Sequence, residues 1–248
     1  MRIFFLGTGT STGIPQIGCN CSTCLSTDPK DKRLRASVIV EIDDNKILID
    51  SGPDLRQQLL KHGVKNLSNV LLTHEHYDHV GGLDDIRPLG VVTVFAEKKV
   101  INTIRRNMSY CFSENKYPGV PLIHLREIKL EPFKIENITI QPVRIMHARL
   151  PILGFRIAKM AYLTDVKTIE ESAIDQLQGL DILILNALRH KAHISHINLK
   201  EAVALAMKIN ARKTYFIHLS HDMGKHEITQ TTLPENMFIA YDDLVLNL

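Results

Sequence analysis

Between residues 69 and 85 the chain reads "NVLLTHEHYDHVGGLDD", where an apolar run ends in His74, His76, Asp78 and His79, four metal-binding side chains within six positions. Neutral imidazole and carboxylate are good ligands for zinc, manganese or iron. On a strand His74, His76 and Asp78 would share a face that His79 leaves, and on a helix His74 and His76 would diverge. No regular element gathers all four. The cluster is therefore placed on a loop leaving the carboxyl end of the short strand "NVLL", where open α/β sheets put their chemistry. "GGLDD" then supplies the glycines of a turn or a close packing contact. A helical zinc-protease motif, H-E-x-x-H, fails on register, because four places after His74 stands Asp78 and the second histidine comes one position late. A plain polar surface loop is the bland alternative, and chance seldom places four such residues together.

The stretch "HEHYDH" resembles the H-x-H-x-D-H signature of the metallo-β-lactamase superfamily, whose members are mostly binuclear hydrolases. The superfamily's remaining ligands have counterparts in order. Asp50 ends "KILID", His147 ends "VRIMH", Asp165 ends "MAYLTD" and His218 ends "KTYFIH", each closing an apolar, strand-like run. The resemblance thus covers Asp50 to His218 and, with the terminal strands, nearly the whole chain. It implies that His74, His76 and His147 hold one metal, that Asp78, His79 and His218 hold the other, and that Asp165 bridges them. Asp50 would orient ligands from behind, and Asp78 counts among the catalytic residues as well as the ligands. Two divalent ions roughly 3.5–4 Å apart activate a bridging water near neutral pH and neutralise charge on the attacked centre. Histidine with carboxylate does not separate zinc from manganese.

The elements that must position these residues can be read from the same sequence. Strands are expected at 2–6, 37–42, 46–50, 70–73, 91–96, 122–125, 138–145, 153–158, 160–164, 181–186, 213–218 and 243–247. "PDLRQQLLKHG" reads as a helix with proline near its start and glycine past its end, and further helices fit 97–107, 167–178 and 198–210. Many strands with few, late helices argue for an α+β protein of two sheets flanked by helices. The resemblance implies the four-layer αββα sandwich.

A second cluster, "GCNCSTC", brings Cys19, Cys21 and Cys24 together in a glycine-rich loop, while Cys111 stands apart. Closely spaced thiols without an export signal point to a metal rather than to disulfides, and three thiolates want a fourth ligand for a closed zinc site. A redox group or three plain reduced cysteines are the alternatives. The glycine-rich N-terminus with these cysteines resembles the PhnP-type phosphodiesterases of carbon–phosphorus lyase operons. There three such cysteines and a late histidine bind a structural zinc. The family's H-x-S-H pattern is matched by "IHLSHDM", which assigns His218 to the catalytic metals and His221 to a zinc loop at about residues 18–25. "GTGTSTG" lacks the Lys-Ser/Thr of a P-loop and the G-x-G-x-x-G spacing, so it is read as a turn that brings Cys19 into place.

Phosphodiesterase branches of the superfamily also carry a histidine just before a helix resembling "INLKEAVALA", and the match is His196. The resemblance implies that His196 protonates or hydrogen-bonds the departing oxygen or a phosphoryl oxygen. His190 and His193 have no such counterpart and, with Arg189 and Lys191, are read as exposed loop residues. His62, His124 and His226 are read as bystanders.

The 248 residues, 44% hydrophobic and 23% charged, suit a single domain spanning 1–248. "MRIFFLG" has one charge and a short apolar run before glycine, so it reads as a first strand and not as an export signal. No stretch approaches the ~20 apolar residues that span a membrane, and a cytoplasmic enzyme is expected. The mild charge of +3 suits a small anionic substrate and falls short of a nucleic-acid footprint. A homodimer is the commonest assembly. The expected function is hydrolysis of small phosphodiesters, cyclic ones included, by a metal-bridging hydroxide. Thioester or lactam hydrolysis, tRNA 3′ processing and a non-catalytic zinc-binding regulator are the alternatives. Seventeen residues separate His147 from Asp165, which leaves no room for the long arm of bacterial tRNA-processing relatives.

Overall fold

A computed structural model describes residues 1–248, and they divide into two compact units. The first comprises Met1–Leu6, Ser37–Lys129 and Asp243–Leu248, and the second Gly7–Ala36 and Leu130–Asp242.

The first unit carries a seven-stranded sheet in the order Val245–Asn247, Arg2–Gly7, Ser37–Ile42, Asn45–Ile49, Asn69–Leu71, Val91–Ala96, Leu122–Glu127. Ser37–Ile42 and Asn45–Ile49 form an antiparallel hairpin, and the strands from Asn45 to Glu127 then run parallel. Parallel neighbours need crossovers, and the helices Leu55–Lys61 and Lys98–Asn107 occupy two of them. Leu55, Leu59, Val100, Ile101 and Ile104 pack with Leu48, Val70, Val92 and Val94 into one core. Ile47, Ile49 and Leu71, which alternate with those residues, are also fully buried, which is why the strands read as unbroken apolar runs.

The second unit carries another seven-stranded sheet, in the order Met237–Ile239, Lys213–Ile217, Ile182–Asn186, Met160–Leu163, Leu150–Ile157, Ile138–His147, Phe133–Ile135. Its last four strands pair antiparallel and its first four parallel. The helices Glu171–Asp175 and Leu199–Ile209 bring Ala173, Ile174, Ala202, Ala206 and Ile209 onto Leu163, Leu183, Leu185 and Phe216. The longer helix starts at a capping box. Asn198 Oδ1 accepts from Glu201 N at 2.9 Å, and Asn198 N donates to Glu201 Oε2 at 2.8 Å. That pair of hydrogen bonds fixes where the chain enters the helix, two residues after His196.

Every expected strand is present, with ends shifted by a few residues. Phe133–Ile135 and Met237–Ile239 were not expected; each has three residues and lies at a sheet edge. The helix expected over 167–178 shrinks to Glu171–Asp175. Met146 N donates to Thr168 O at 2.9 Å and Met146 O accepts from Lys167 N at 2.7 Å, so that backbone is committed to a bridge before a helix can begin. The loop expected after "NVLL" also changes character. His76 O accepts from His79 N and Val80 N at 2.9 and 3.1 Å, closing a one-turn helix over Tyr77–Val80 that holds Asp78 and His79.

Candidate metal centres

In the first unit the chain leaves the strand Asn69–Leu71 through Thr73 and enters the histidine cluster. The His74 ring lies 4.5 Å from that of His76 and 4.3 Å from that of His79, so turn and one-turn helix together aim three imidazoles at one region. Behind them sits Asp50, fully buried at the end of Asn45–Ile49. Its Oδ2 lies 2.8 Å from His79 Nδ1, its Oδ1 accepts from Thr73 N at 2.9 Å, and Thr73 Oγ1 stands 3.0 Å from both oxygens. Thr73 Oγ1 is in turn 2.9 Å from His74 Nδ1. One carboxylate thus turns His79 directly and His74 through a hydroxyl, holding the Nδ1 proton in both rings and leaving Nε2 to meet a cation. His79 Nε2 lies 3.2 Å from Asp78 Oδ2, as two donors to one ion would. Burial pushes the Asp50 carboxyl above its ordinary pKa, against the pull of His79 and Thr73. Thr73 is one participant that sequence reasoning missed, and its signal is its place immediately before His74.

In the second unit His147 closes the strand Ile138–His147, and its Nδ1 donates to Ser195 O at 2.8 Å, which again leaves Nε2 for a metal. Asp165 follows Met160–Leu163, and its Oδ1 accepts from Thr164 Oγ1 at 2.7 Å while lying 3.2 Å from His218 Nε2. His196 packs among these residues. Its ring is 4.6 Å from that of His147 and 4.9 Å from that of His218, and it offers a nitrogen within 4.8 Å of ligand atoms of His147 and Asp165. Its Nδ1 is buried with no protein partner. Burial, and next the neighbouring His218, pull its pKa down to about 3. Close lone-pair atoms on buried histidines and a carboxylate are a donor set that a divalent cation reconciles.

Asp50, Asp165 and His218 share a backbone feature absent from the sequence reading: each stands just past a strand with φ of 62°, 60° and 57°. The left-handed turn swings the next peptide away from the strand line. It is a conformation in which Asp, Asn and His are enriched among non-glycine residues.

The second unit also contains the cysteine cluster. Ligand atoms of Cys19, Cys21, Cys24 and His221 all lie within 4.8 Å of one another. Cys19 Sγ and Cys21 Sγ stand 3.2 and 3.4 Å from His221 Nδ1. Zinc–sulfur and zinc–nitrogen arms at the tetrahedral angle give an N···S edge of about 3.6 Å, so the four residues fit a structural zinc. Cys24 N donates to Cys21 Sγ, the largest cause of a thiol pKa lowered to about 6, and His221 adds to it. His218 and His221 are joined by Leu219, whose N donates to Thr8 O and whose O accepts from Thr10 N, each at 3.0 Å. The glycine-rich opening is therefore stitched to the segment between the two histidines, and it turns where Gly13 N donates to Thr10 O at 2.8 Å.

Of the remaining histidines, His190 Nε2 binds Met223 O at 3.0 Å, and His62 Nε2 meets Asp243 Oδ1 at 3.1 Å. His226 is buried, its N donating to Asp31 Oδ1 at 2.6 Å and its Nδ1 lying 3.5 Å from Arg33 Nη2. His193 lies against His196, ring to ring at 5.2 Å, and not in open solvent as its loop position suggested. Cys111 is buried in the first unit, far along the chain from the other thiols. No helix is long and apolar enough to cross a membrane.

A family model described as Beta-lactamase superfamily domain matches residues 45–219. Over 250 residues the chain is 45% identical to a protein of Porphyromonas gingivalis (strain ATCC BAA-308 / W83) named Octanoyltransferase, a match that covers 98% of this chain and 51% of that protein. The chain spans about half the length of that relative, and 44% of a Coenzyme PQQ synthesis protein B from Rhodopseudomonas palustris (strain ATCC BAA-98 / CGA009) that is 30% identical over 49% of this chain. A solved structure described as a new diphosphatase from the PhnP family is 39% identical, with 99% of this chain and 97% of that one covered at a TM-score of 0.93. Zinc-bound PqqB from Methylobacterium extorquens, 19% identical, superposes over all of both chains with a TM-score of 0.82, a likeness of fold alone. The α+β, metallo-β-lactamase fold expected from the sequence is the fold of the chain. Metal-binding side chains set at strand ends, a matching family model and a near full-length relative at 39% identity agree, and the chain belongs to the beta-lactamase superfamily and, within it, to the PhnP family.

Proposed function

We propose that this hydrolase-family protein is a binuclear, metal-dependent phosphodiesterase of small substrates, cyclic ones included. His74, His76, Asp78, His79, His147, Asp165 and His218 would hold two zinc or manganese ions, and Cys19, Cys21, Cys24 and His221 a structural zinc. Bound there, two divalent ions supply an activated water and neutralise charge on the attacked group. The observation that carries the reading is His196, a buried imidazole packed on His147 and His218 at the head of a capped helix. It is placed to hydrogen-bond an oxygen of a substrate held by those ligands, and the negative charge of a bound phosphodiester would raise its pKa toward the range in which it can also protonate that oxygen. Asp50 and the Ser195 carbonyl keep the ligand rings in the tautomer that offers Nε2. The naming of a 39% identical relative as a diphosphatase supports chemistry on phosphate linkages.

The Octanoyltransferase name of the 45% identical relative favours a second reading, hydrolysis or transfer at an acyl thioester, although the chain spans 51% of that protein. One panel on metal-reconstituted protein separates the two: cyclic phosphates, linear diesters, diphosphate linkages, monoesters, an octanoyl thioester and a lactam. Turnover of the diesters above all others is expected. Turnover of the thioester with none of the phosphate esters would replace the first reading by the second.

A further inference from the structure

Residues 189–196 form a loop tied at its base by Leu188 N to Ile197 O at 3.1 Å and Leu199 N to Arg189 O at 3.0 Å. Arg189 is occupied inside it, donating from Nε and Nη2 to the carbonyls of Lys191 and Ala192 at 3.4 and 3.1 Å. His193 is held differently. Ser195 N donates to its Nδ1 at 3.3 Å, and Ser195 Oγ lies 3.1 Å from the same atom. A backbone N–H is only ever a donor, so Nδ1 is the acceptor and the neutral ring carries its proton on Nε2. In that tautomer Nε2 has no lone pair for a metal, which sets His193 apart from His74, His79 and His147. The ring is half-buried, inclined at 32° to that of His196, which itself touches His147 and His218. Burial, with Arg189 close by, holds its pKa below the usual histidine value, in keeping with a neutral ring.

We propose that His193 is a substrate-binding residue that gives its Nε2–H to a phosphoryl oxygen of the ester held beside His196. The inference rests on the phosphodiesterase reading and adds a second imidazole contact to the same site. A neutral donor of fixed tautomer holds an anion without entering the ligand set. Losing one hydrogen bond to a charged group weakens binding roughly ten- to hundredfold.

Two substitutions, with His193→Ala as the full deletion, separate this role from a structural one. In His193→Gln the amide nitrogen takes the place of Nε2–H, while in His193→Asn the amide oxygen takes the place of Nδ1 and keeps the bond from Ser195. Metal-loaded full-length chain is titrated calorimetrically with inorganic phosphate, and KM and kcat are measured on a diester that the wild type hydrolyses. Gln is expected to stay within about threefold of wild type in phosphate affinity. Asn and Ala should lose roughly ten- to hundredfold and raise KM to match, with metal content and melting temperature unchanged. Retention by Asn with loss by Gln would overturn the proposal, showing that His193 serves to pin Ser195, whose carbonyl orients His147. Wild-type affinity in all three variants would also overturn it while leaving the phosphodiesterase reading intact. A wild type that binds no phosphate would remove both.

Discussion

Replacing Asp50 by Asn should unload the histidine site without unfolding the protein. The two side chains have the same shape, and both tolerate the left-handed backbone found at φ 62°. In the variant the amide oxygen keeps the bond from Thr73 N at 2.9 Å, so the NH2 group faces His79 Nδ1, now 2.8 Å from a carboxylate oxygen. An amide nitrogen can only donate, which forces the lone pair of His79 onto Nδ1 and the proton onto Nε2. The ring then turns an N–H toward the ion. Loss of such an orienting partner is worth 10- to 100-fold in metal affinity, or about 1.4–2.8 kcal/mol. Metal-free stability should shift by less, about 1 kcal/mol, because only the bond to His79 changes polarity and a buried charge is removed with it. Zinc titrations against a competing chelator, on protein whose cysteine site is already filled, measure the first quantity, and urea melts of the metal-free protein the second. Wild-type zinc affinity in the Asn variant would refute the tautomer argument. A loss of more than about 3 kcal/mol in the metal-free melts would show that Asp50 is chiefly a structural residue.

Asp165→Asn or His76→Ala is expected to abolish hydrolysis while one zinc per chain remains on the cysteine site, counted by elemental analysis. Cys21→Ser should do the converse, losing that zinc and roughly 3 kcal/mol or more of stability, a fall of about 6–12 °C in melting temperature; full zinc content with an unchanged melt would mean the four residues do not form a site. His196→Ala should keep its histidine-site metals and slow an alkyl or ribosyl diester by ~10²–10⁴-fold, and an activated aryl diester far less. Equal losses would assign it to phosphate binding instead, and loss of metal would make it a ligand. His226 is buried beside Arg33, and burial lowers its pKa to about 4. The folded state therefore favours the neutral ring. Its contribution is complete above the unfolded value near 6.5 and is lost as pH falls from there through about 4. Melts of His226→Gln should fall less steeply than wild type between those limits, and parallel curves would exclude this histidine as a source of acid sensitivity.

The candidate ligands were legible because their chemistry and position coincide: His147 and His218 are polar residues at the ends of apolar strands, where a buried histidine calls for a partner. Cys19, Cys21, Cys24 and His221 were legible for a related reason, being spaced closely or standing three positions after His218. What stayed hidden lies in backbone and distance. Ser195 orients His147 through a carbonyl, an atom every residue possesses, so no side-chain pattern marks it. Thr73 acts as a relay only because Asp50, twenty-three positions earlier, ends a neighbouring strand. His193 read as a surface residue since its loop is polar, and its contact with His196 depends on how that loop is tied at its base. The shortened helix at Glu171 follows from a bridge to Met146, a pairing that helical periodicity over 167–178 does not contain.

The left-handed backbone at Asp50, Asp165 and His218 also bears on how the protein would drift or be engineered. For L-residues that conformation costs roughly 1–2 kcal/mol, while glycine adopts it without penalty. At Asp165 and His218 a carboxylate oxygen and an imidazole Nε2 also stand 3.2 Å apart in buried space. Selection for thermal stability with no demand for turnover should therefore reward Gly or Asn at Asp165 and His218 early, whereas Gly at Asp50 would strand the hydrogen bonds to Thr73 and His79. Two stabilising single changes would then be two that erase the proposed chemistry. A stabilisation campaign needs either a metal-dependent screen or these codons held fixed.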